Sequence, residues 1–204
     1  MPNSKLIFFD NIQNSLDAIY SKIKDCKNFD IQMIVAPYML SISGIYQLAP
    51  NVIVTNLYFQ QRTIQEAINT LNHIRRITST TNIKVIIVTE CNNTAVYQYA
   101  LLSGIQGYIC TESGREINLS RTIENMIRGP RIKPSHNWLT LKEWMVCHSL
   151  FTLPNVTSPE RAKALKMSVA TYYRLLKKAQ IKIGAGSTLE LALKFTSPAT
   201  ALVA

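Results

Sequence analysis

Between residues 158 and 184 the chain reads SPERAKALKMSVATYYRLLKKAQIKIG, and this stretch carries the side chains best suited to a chemical task. Arg161, Lys163, Lys166, Lys177 and Lys178 are cations of the kind that neutralise phosphates. Ser168, Ala170, Thr171, Tyr173 and Arg174 are small, hydroxyl-bearing or donor-bearing, of the kind that meets base edges in the major groove of DNA, and Lys182 extends the basic series. Elsewhere the chemistry is sparse. Cys26, Cys91, Cys110 and Cys147 form no C-x-x-C pair, and His73, His136 and His148 are scattered. No metal-ligand spacing and no nucleophile–base pair follows, so the cysteines read as buried, reduced thiols. One more polar group stands out: Asn56, at the end of the apolar run PNVIVTN. It lies where a strand of a parallel sheet would deliver its ligand-facing edge, yet it has no charge.

The elements that must position these groups come in two kinds. Through residue 129 the periodicity alternates between apolar runs and helical stripes. Strands are predicted over 5–10, 31–36, 51–56, 83–90 and 107–112, and helices over 15–25, 39–49, 63–77, 93–104 and 116–129. Such alternation calls for an α/β fold, a doubly wound five-stranded parallel sheet, with 2-1-3-4-5 the natural strand order. The run GPRIKPSHNW breaks the pattern, and residues 130–138 are taken as a linker between a domain of residues 1–129 and one of residues 139–196, with a frayed tail at 197–204. The second domain reads as small and all-α, with helices over 140–151, 158–167, 168–184 and 187–195. Its first helix opens on a capping box, Thr140-x-x-Glu143. Its second begins Ser158-Pro159-Glu160, and only the turn around Lys166-Met167-Ser168 separates it from the third, as in a helix-turn-helix. In that third helix Val169, Tyr172, Leu176, Ala179 and Ile183 form the expected buried stripe, leaving the basic and polar groups on the free side.

Charge follows the same division. The chain has a net charge of +10, and residues 131–204 hold 11 of the 22 Lys and Arg but 3 of the 12 Asp and Glu. A basic C-terminal third is the electrostatic footprint of a nucleic-acid binder. No apolar run reaches the length of a membrane span, and the N-terminal apolar run is too short for a signal-peptide core, so a cytoplasmic protein without membrane partners is expected.

Residues 139–195 resemble the DNA-binding domain of the LuxR/NarL/FixJ class of response regulators. The opening Leu139-Thr140-Leu141-Lys142-Glu143 is similar to that family's Leu-Thr-x-Arg-Glu. Glu160, Ala162 and Leu165 match its scaffold helix, Ser168 and Thr171 the start of its recognition helix, and Lys182-Ile183-Gly184 with Glu190-Leu191 its end and the dimerising fourth helix. The loop TLPNVT is about two residues longer than the family's and lacks its glycine. Arg161 stands where an apolar residue is common, and Tyr173 and Leu175 replace a frequent Lys and His.

Residues 1–130 in turn resemble a receiver domain. The resemblance places Asp10 and Asn11 at the acidic pair, Asn56 at the phosphoacceptor, Thr89 at the switch hydroxyl, Tyr108 at the switch aromatic and Thr111 at the lysine. Phosphoryl transfer to an acceptor needs a carboxylate nucleophile, carboxylates for Mg²⁺ and a cation for the phosphoryl group. Of these charges only Asp10 survives, which implies a degenerate receiver with no cofactor. The resemblance further implies a dimer surface formed by the helices over 93–104 and 116–129 and the strand between them, near Tyr97, Tyr99, Arg115, Arg121 and Arg128; the two tyrosines read equally well as core packers. The expected function is a DNA-binding transcriptional regulator, not an enzyme, acting on double-stranded DNA as a homodimer and independently of aspartyl phosphorylation. The competing expectation is an auxiliary or anti-activator protein that heterodimerises with a true response regulator and makes few base contacts.

Overall fold

The computed structural model describes residues 4–10, 17, 19–21, 23, 29–35, 41–57, 63–91, 93–111, 118–131 and 139–196. Asn11, Arg115, most of the expected linker and the C-terminal tail lie outside them. So does much of the expected first helix, of which Asp17, Ile19, Tyr20, Ser21 and Ile23 are helical.

Five strands, β1 (Ser4–Asp10), β2 (Phe29–Val35), β3 (Val52–Thr55), β4 (Lys84–Thr89) and β5 (Gly107–Cys110), form one sheet in the order β2-β1-β3-β4-β5. Every pairing is parallel, with Phe9 opposite Thr55, Thr55 opposite Ile87 and Thr89 opposite Cys110. The sequence of β3, VIVT, explains its central place. Its β-branched side chains are all buried, so both sheet faces are covered. On one face Leu6, Phe8, Val52, Val54, Ile86, Val88 and Ile109 cluster with Leu119 and Ile123. Residues of opposite parity, among them Ile7, Phe9, Ile53, Val85 and Ile87, are equally buried and serve the second face.

The helices connecting these strands begin on recognisable caps. Ser41 accepts from Gly44 N ahead of α1 (Ile42–Leu48), and Thr63 accepts from Glu66 N ahead of α2 (Ile64–Thr80). The α2 stripe is Ala67, Ile68, Leu71, Ile74 and Ile77, while Ile64 in the first turn is 40% exposed. Asn93 caps α3 (Thr94–Leu102), and Asn118 caps α4 (Leu119–Arg128). No described helix is long and apolar enough to cross a membrane.

By its contacts the chain divides into two compact units. One comprises the described residues of 4–92 and 103–131 and contains the sheet. The other comprises those of 93–102 and 139–196: α3 with α5 (Leu141–Thr152), α6 (Ser158–Ala164), α7 (Val169–Ile183) and α8 (Thr188–Thr196). Six of the nine α3 residues are buried, including Tyr97 and Tyr99, so α3 has apolar surface on more than one side. One side is taken by Trp144 of α5, whose indole N–H donates to Ala95 O (2.9 Å) and whose ring stacks on Tyr99 with centroids 4.2 Å apart. His148 stacks on Trp144 at 4.8 Å, and Phe195 tilts against it at 5.7 Å. The two tyrosines are therefore core residues rather than members of an exposed surface.

Candidate nucleic-acid interface and strand-edge cluster

The helix-turn-helix is built from local signals. Glu160 accepts from Thr157 N (2.9 Å) and from the Thr157 hydroxyl (2.7 Å), so Thr157 is the cap of α6, one residue before the expected Ser158. At the other end Met167 N donates to Ala162 O and Lys166 N to Lys163 O, both at 3.0 Å, the two bonds of a Schellman turn. That turn requires a left-handed residue, and here it is Lys166, with φ 54°, rather than glycine. Ser168 then caps α7, accepting from Thr171 N and donating to the Thr171 hydroxyl (2.9 Å). Gly184, with φ 69°, closes α7 in the same left-handed region without side-chain strain.

Packing selects which face of α7 is free. Tyr172, Leu175, Leu176 and Ala179 are buried, a stripe at i, i+3, i+4 and i+7. This corrects the sequence reading, which placed Val169 and Ile183 on the stripe and left Leu175 off it. Val169 is 40% exposed and Ile183 only half-buried, because both lie at helix ends beyond the tightest packing. Tyr172 is fully buried, its hydroxyl 3.3 Å from the Ser149 hydroxyl. Ala170, Tyr173, Arg174, Lys177 and Lys178 are exposed together, with Lys163 and Lys166 exposed nearby on α6 and in the turn; Thr171 is half-buried.

Two of the cations expected at the DNA surface, Arg161 and Lys182, have other work. The Arg161 guanidinium donates to Leu153 O and Pro154 O, both at 3.0 Å, and so clamps the loop after α5 onto α6. Two oddities of the sequence, a longer loop without glycine and an arginine at an apolar position, thus explain each other. Lys182 donates to Glu143 at 2.7 Å, and Glu143 also accepts from Thr140 N to complete the capping box. Burial pushes the Glu143 pKa up, but the bonds from Lys182 and Thr140 outweigh it and hold the carboxyl below its ordinary value. Burial pushes the Cys147 thiol up to about 12, which keeps it an unreactive core group.

At the C-terminal edge of the sheet, Asp10 ends β1 and is buried, Asn56 follows β3 half-buried, Thr89 ends β4 buried and Thr111 follows β5 exposed. Parallel register brings these strand ends to one edge. The Asn56 carboxamide oxygen accepts from Leu57 N (2.7 Å), and the Thr89 hydroxyl accepts from Cys91 N (3.3 Å). Thr111 N donates to Thr89 O (2.8 Å), and the Tyr108 hydroxyl donates to Cys91 O (2.7 Å), tying the ends of β4 and β5 together.

No protein-family model matches the sequence, and no curated protein matches it. Solved structures do. RcsB from Salmonella enterica serovar Typhimurium, bound to a promoter in the presence of the phosphomimetic BeF3⁻, aligns over 95% of this chain and 98% of its own, with 21% identity and a TM-score of 0.57. An RcsB–DNA complex aligns over 94% and 97% with 20% identity and the same score. The RcsB response regulator of Salmonella typhimurium aligns over 94% and 97% with 21% identity and a TM-score of 0.53. The chain has the fold of RcsB. It is a receiver-like parallel sheet followed by a small helix-turn-helix domain.

The resemblance to a receiver implies a divalent cation at this strand edge. The described groups there do not fit one. A hard divalent cation takes carboxylate oxygens gathered about one point, and the described strand ends offer Asp10, the exposed Glu90 just past β4, a carboxamide with a lone pair already used by Leu57 N, and hydroxyls. Among the described residues no three His, Cys, Asp or Glu side chains come together.

Proposed function

We propose that this chain is a DNA-binding transcriptional regulator that works as a dimer and is controlled without aspartyl phosphorylation. The observation that carries the reading is the free face of α7. Arg174, Lys177 and Lys178 are exposed beside Ala170 and Tyr173 on a helix whose opposite face is buried, in the unit that holds most of the net charge. A helix of this kind fits the major groove, with its N-terminal half toward bases and its cations toward phosphates. The RcsB structures with which the chain shares its fold include DNA complexes. The sheet edge supports the second half of the proposal, since Asn56 is no nucleophile and Thr111 no cation. The proposal keeps two domains, residues 1–129 and 139–196, although α3 groups by its contacts with the second, and it takes double-stranded DNA as the partner and binding rather than catalysis as the activity.

The test is a titration of the full chain against duplex DNA across salt concentrations. Lys177→Ala and Lys178→Ala each weaken binding to every sequence, and each lowers the slope of log K against log salt by about 1. An unchanged slope in both variants removes the phosphate role.

A second reading, a heterodimer with a true response regulator, is compatible with one observation. α8 exposes Leu189 (71%) and Leu193 (62%) one turn apart, and Ile181 at the end of α7 is 70% exposed. This apolar surface accepts a second copy or a chain of the same fold equally well.

A further inference from the structure

We propose that the free face of α7 reads guanine and thymine edges in preference to the amino groups of adenine and cytosine, for which it presents no carboxylate or carboxamide. This rests on the DNA-binding reading above and names the base chemistry that reading would select.

Ala170, Tyr173, Arg174 and Lys177 recur at spacings of three and four and are all exposed, so they form one strip along the helix. The strip offers cationic donors at Arg174 and Lys177 and apolar contact at the Ala170 methyl and the Tyr173 ring. Tyr173 is 49% exposed, its ring held edge-on to buried Tyr172 with centroids 6.0 Å apart. Val169, 40% exposed in the first turn, adds a second aliphatic group beside the strip.

Acceptors are what the strip lacks. α7 contains no Asp, Glu or Asn, and its single carboxamide, Gln180, is half-buried in the last turn with its amide nitrogen toward the Thr188 hydroxyl. The hydroxyls of Ser168 and Thr171 are engaged with each other in the helix cap. Each of these oxygens keeps one lone pair, and the Tyr173 phenol oxygen is a third hydroxyl acceptor, but none of the three offers the paired acceptor and donor of a carboxamide or the charge of a carboxylate.

The major groove is read by matching donors to acceptors. Cytosine presents an amino donor there and adenine an amino donor beside N7. Guanine presents two acceptors, O6 and N7, and thymine an acceptor and a methyl group. A strip of donors and methyl-sized apolar groups pairs with the last two bases. Arg174 suits the O6/N7 fork of guanine, and Ala170 with Tyr173 suits the thymine methyl.

The experiment selects duplexes for the full chain from a random pool at fixed salt, then changes single atoms in the selected duplex. Replacing thymine by uracil removes one methyl group, and the expected cost at a contacted position is about fourfold in affinity. Replacing guanine by 7-deazaguanine removes N7, and the expected cost is about tenfold. The uracil effect disappears in Ala170→Gly or Tyr173→Ala, and the deazaguanine effect in Arg174→Ala, while the salt slope of non-specific binding by the Tyr173 variant stays at the parent value. A selected duplex indifferent to both replacements at every position overturns the inference, as do replacement effects that persist in all three variants. Duplex binding with no sequence preference overturns it too and leaves the DNA-binding reading standing. Absence of any salt-dependent duplex binding overturns both.

Discussion

Lys166 shows how one residue can carry a structural cost and a functional chance together. The turn between α6 and α7 needs a left-handed residue, and a lysine occupies the place where glycine is at ease. A side chain in this region costs about 1 kcal/mol or somewhat more relative to glycine. Lys166→Gly is therefore expected to raise stability by about 0.5–1 kcal/mol, the relieved strain being partly offset by a more flexible unfolded chain, as measured by chemical denaturation. The same variant should bind DNA more weakly if the ammonium meets phosphate. A stabilised variant with unchanged affinity would assign Lys166 to the turn alone. Arg161 presents the opposite case, a cation whose two bonds to Leu153 O and Pro154 O place it in the scaffold.

At the scale of elements, α5 and α7 are joined by the Glu143–Lys182 pair, in which the Glu143 side chain is only 4% exposed. Removing Lys182 leaves a buried carboxylate with its Thr140 bonds and no cation. Lys182→Ala is expected to cost about 2–3 kcal/mol in denaturant unfolding. The pH dependence follows from the same group. Glu143 titrates below its ordinary value of 4.5 in the folded state, so its stabilisation is complete above that value and lost as pH falls through the folded pKa. His148, buried on Trp144, is held below its ordinary 6.5, so its contribution is present above 6.5 and lost as pH falls further. Unfolding followed at pH 7, 5.5 and 3.5 should show stability falling in both steps, with the lower step reduced in Glu143→Gln. α8 gives the other prediction at this scale. Replacing Leu189 and Leu193 together by Asp should shift the chain toward monomer in analytical ultracentrifugation while leaving the thermal transition nearly unchanged, because both side chains are exposed. A parent chain that is monomeric at all concentrations tested would remove the homodimer from the proposal.

For the whole molecule the question is how an RcsB-like fold is controlled when its strand edge carries so little charge. Incubation of the chain with a small phosphodonor and Mg²⁺ is expected to leave the intact mass unchanged. Asn56→Asp alone is expected to leave it unchanged as well, since Asn11 still supplies no second carboxylate beside Asp10 and Thr111 supplies no cation. A gain of one phosphoryl group by the parent chain would overturn phosphorylation-independent control, and labelling of the variant would show that the remaining groups suffice. The grouping of α3 with the C-terminal helices, through Trp144, Tyr99 and Ala95 O, bears on the same question, because a helix between β4 and β5 in sequence contributes to the core of the helix-turn-helix unit.

Much of this was legible in the amino-acid order. The five strands, the helix starts at Thr140 and Ser168 and the tight turn before α7 follow from apolar periods and capping residues that act within a few positions of one another. So does the placing of an amide at Asn56 where a strand ends. The strand order, the natural guess for such alternation, is instead set by pairing between distant strands. The tertiary structure decided what depends on distant partners. Lys182 and Glu143 lie 39 residues apart, and Trp144 lies 49 from Ala95. Which cations remain free and which bind a carbonyl or a carboxylate depends on that packing. Periodicity assigns a residue to a face of its own helix, whereas the partner waiting across that face is known only once the helices are packed.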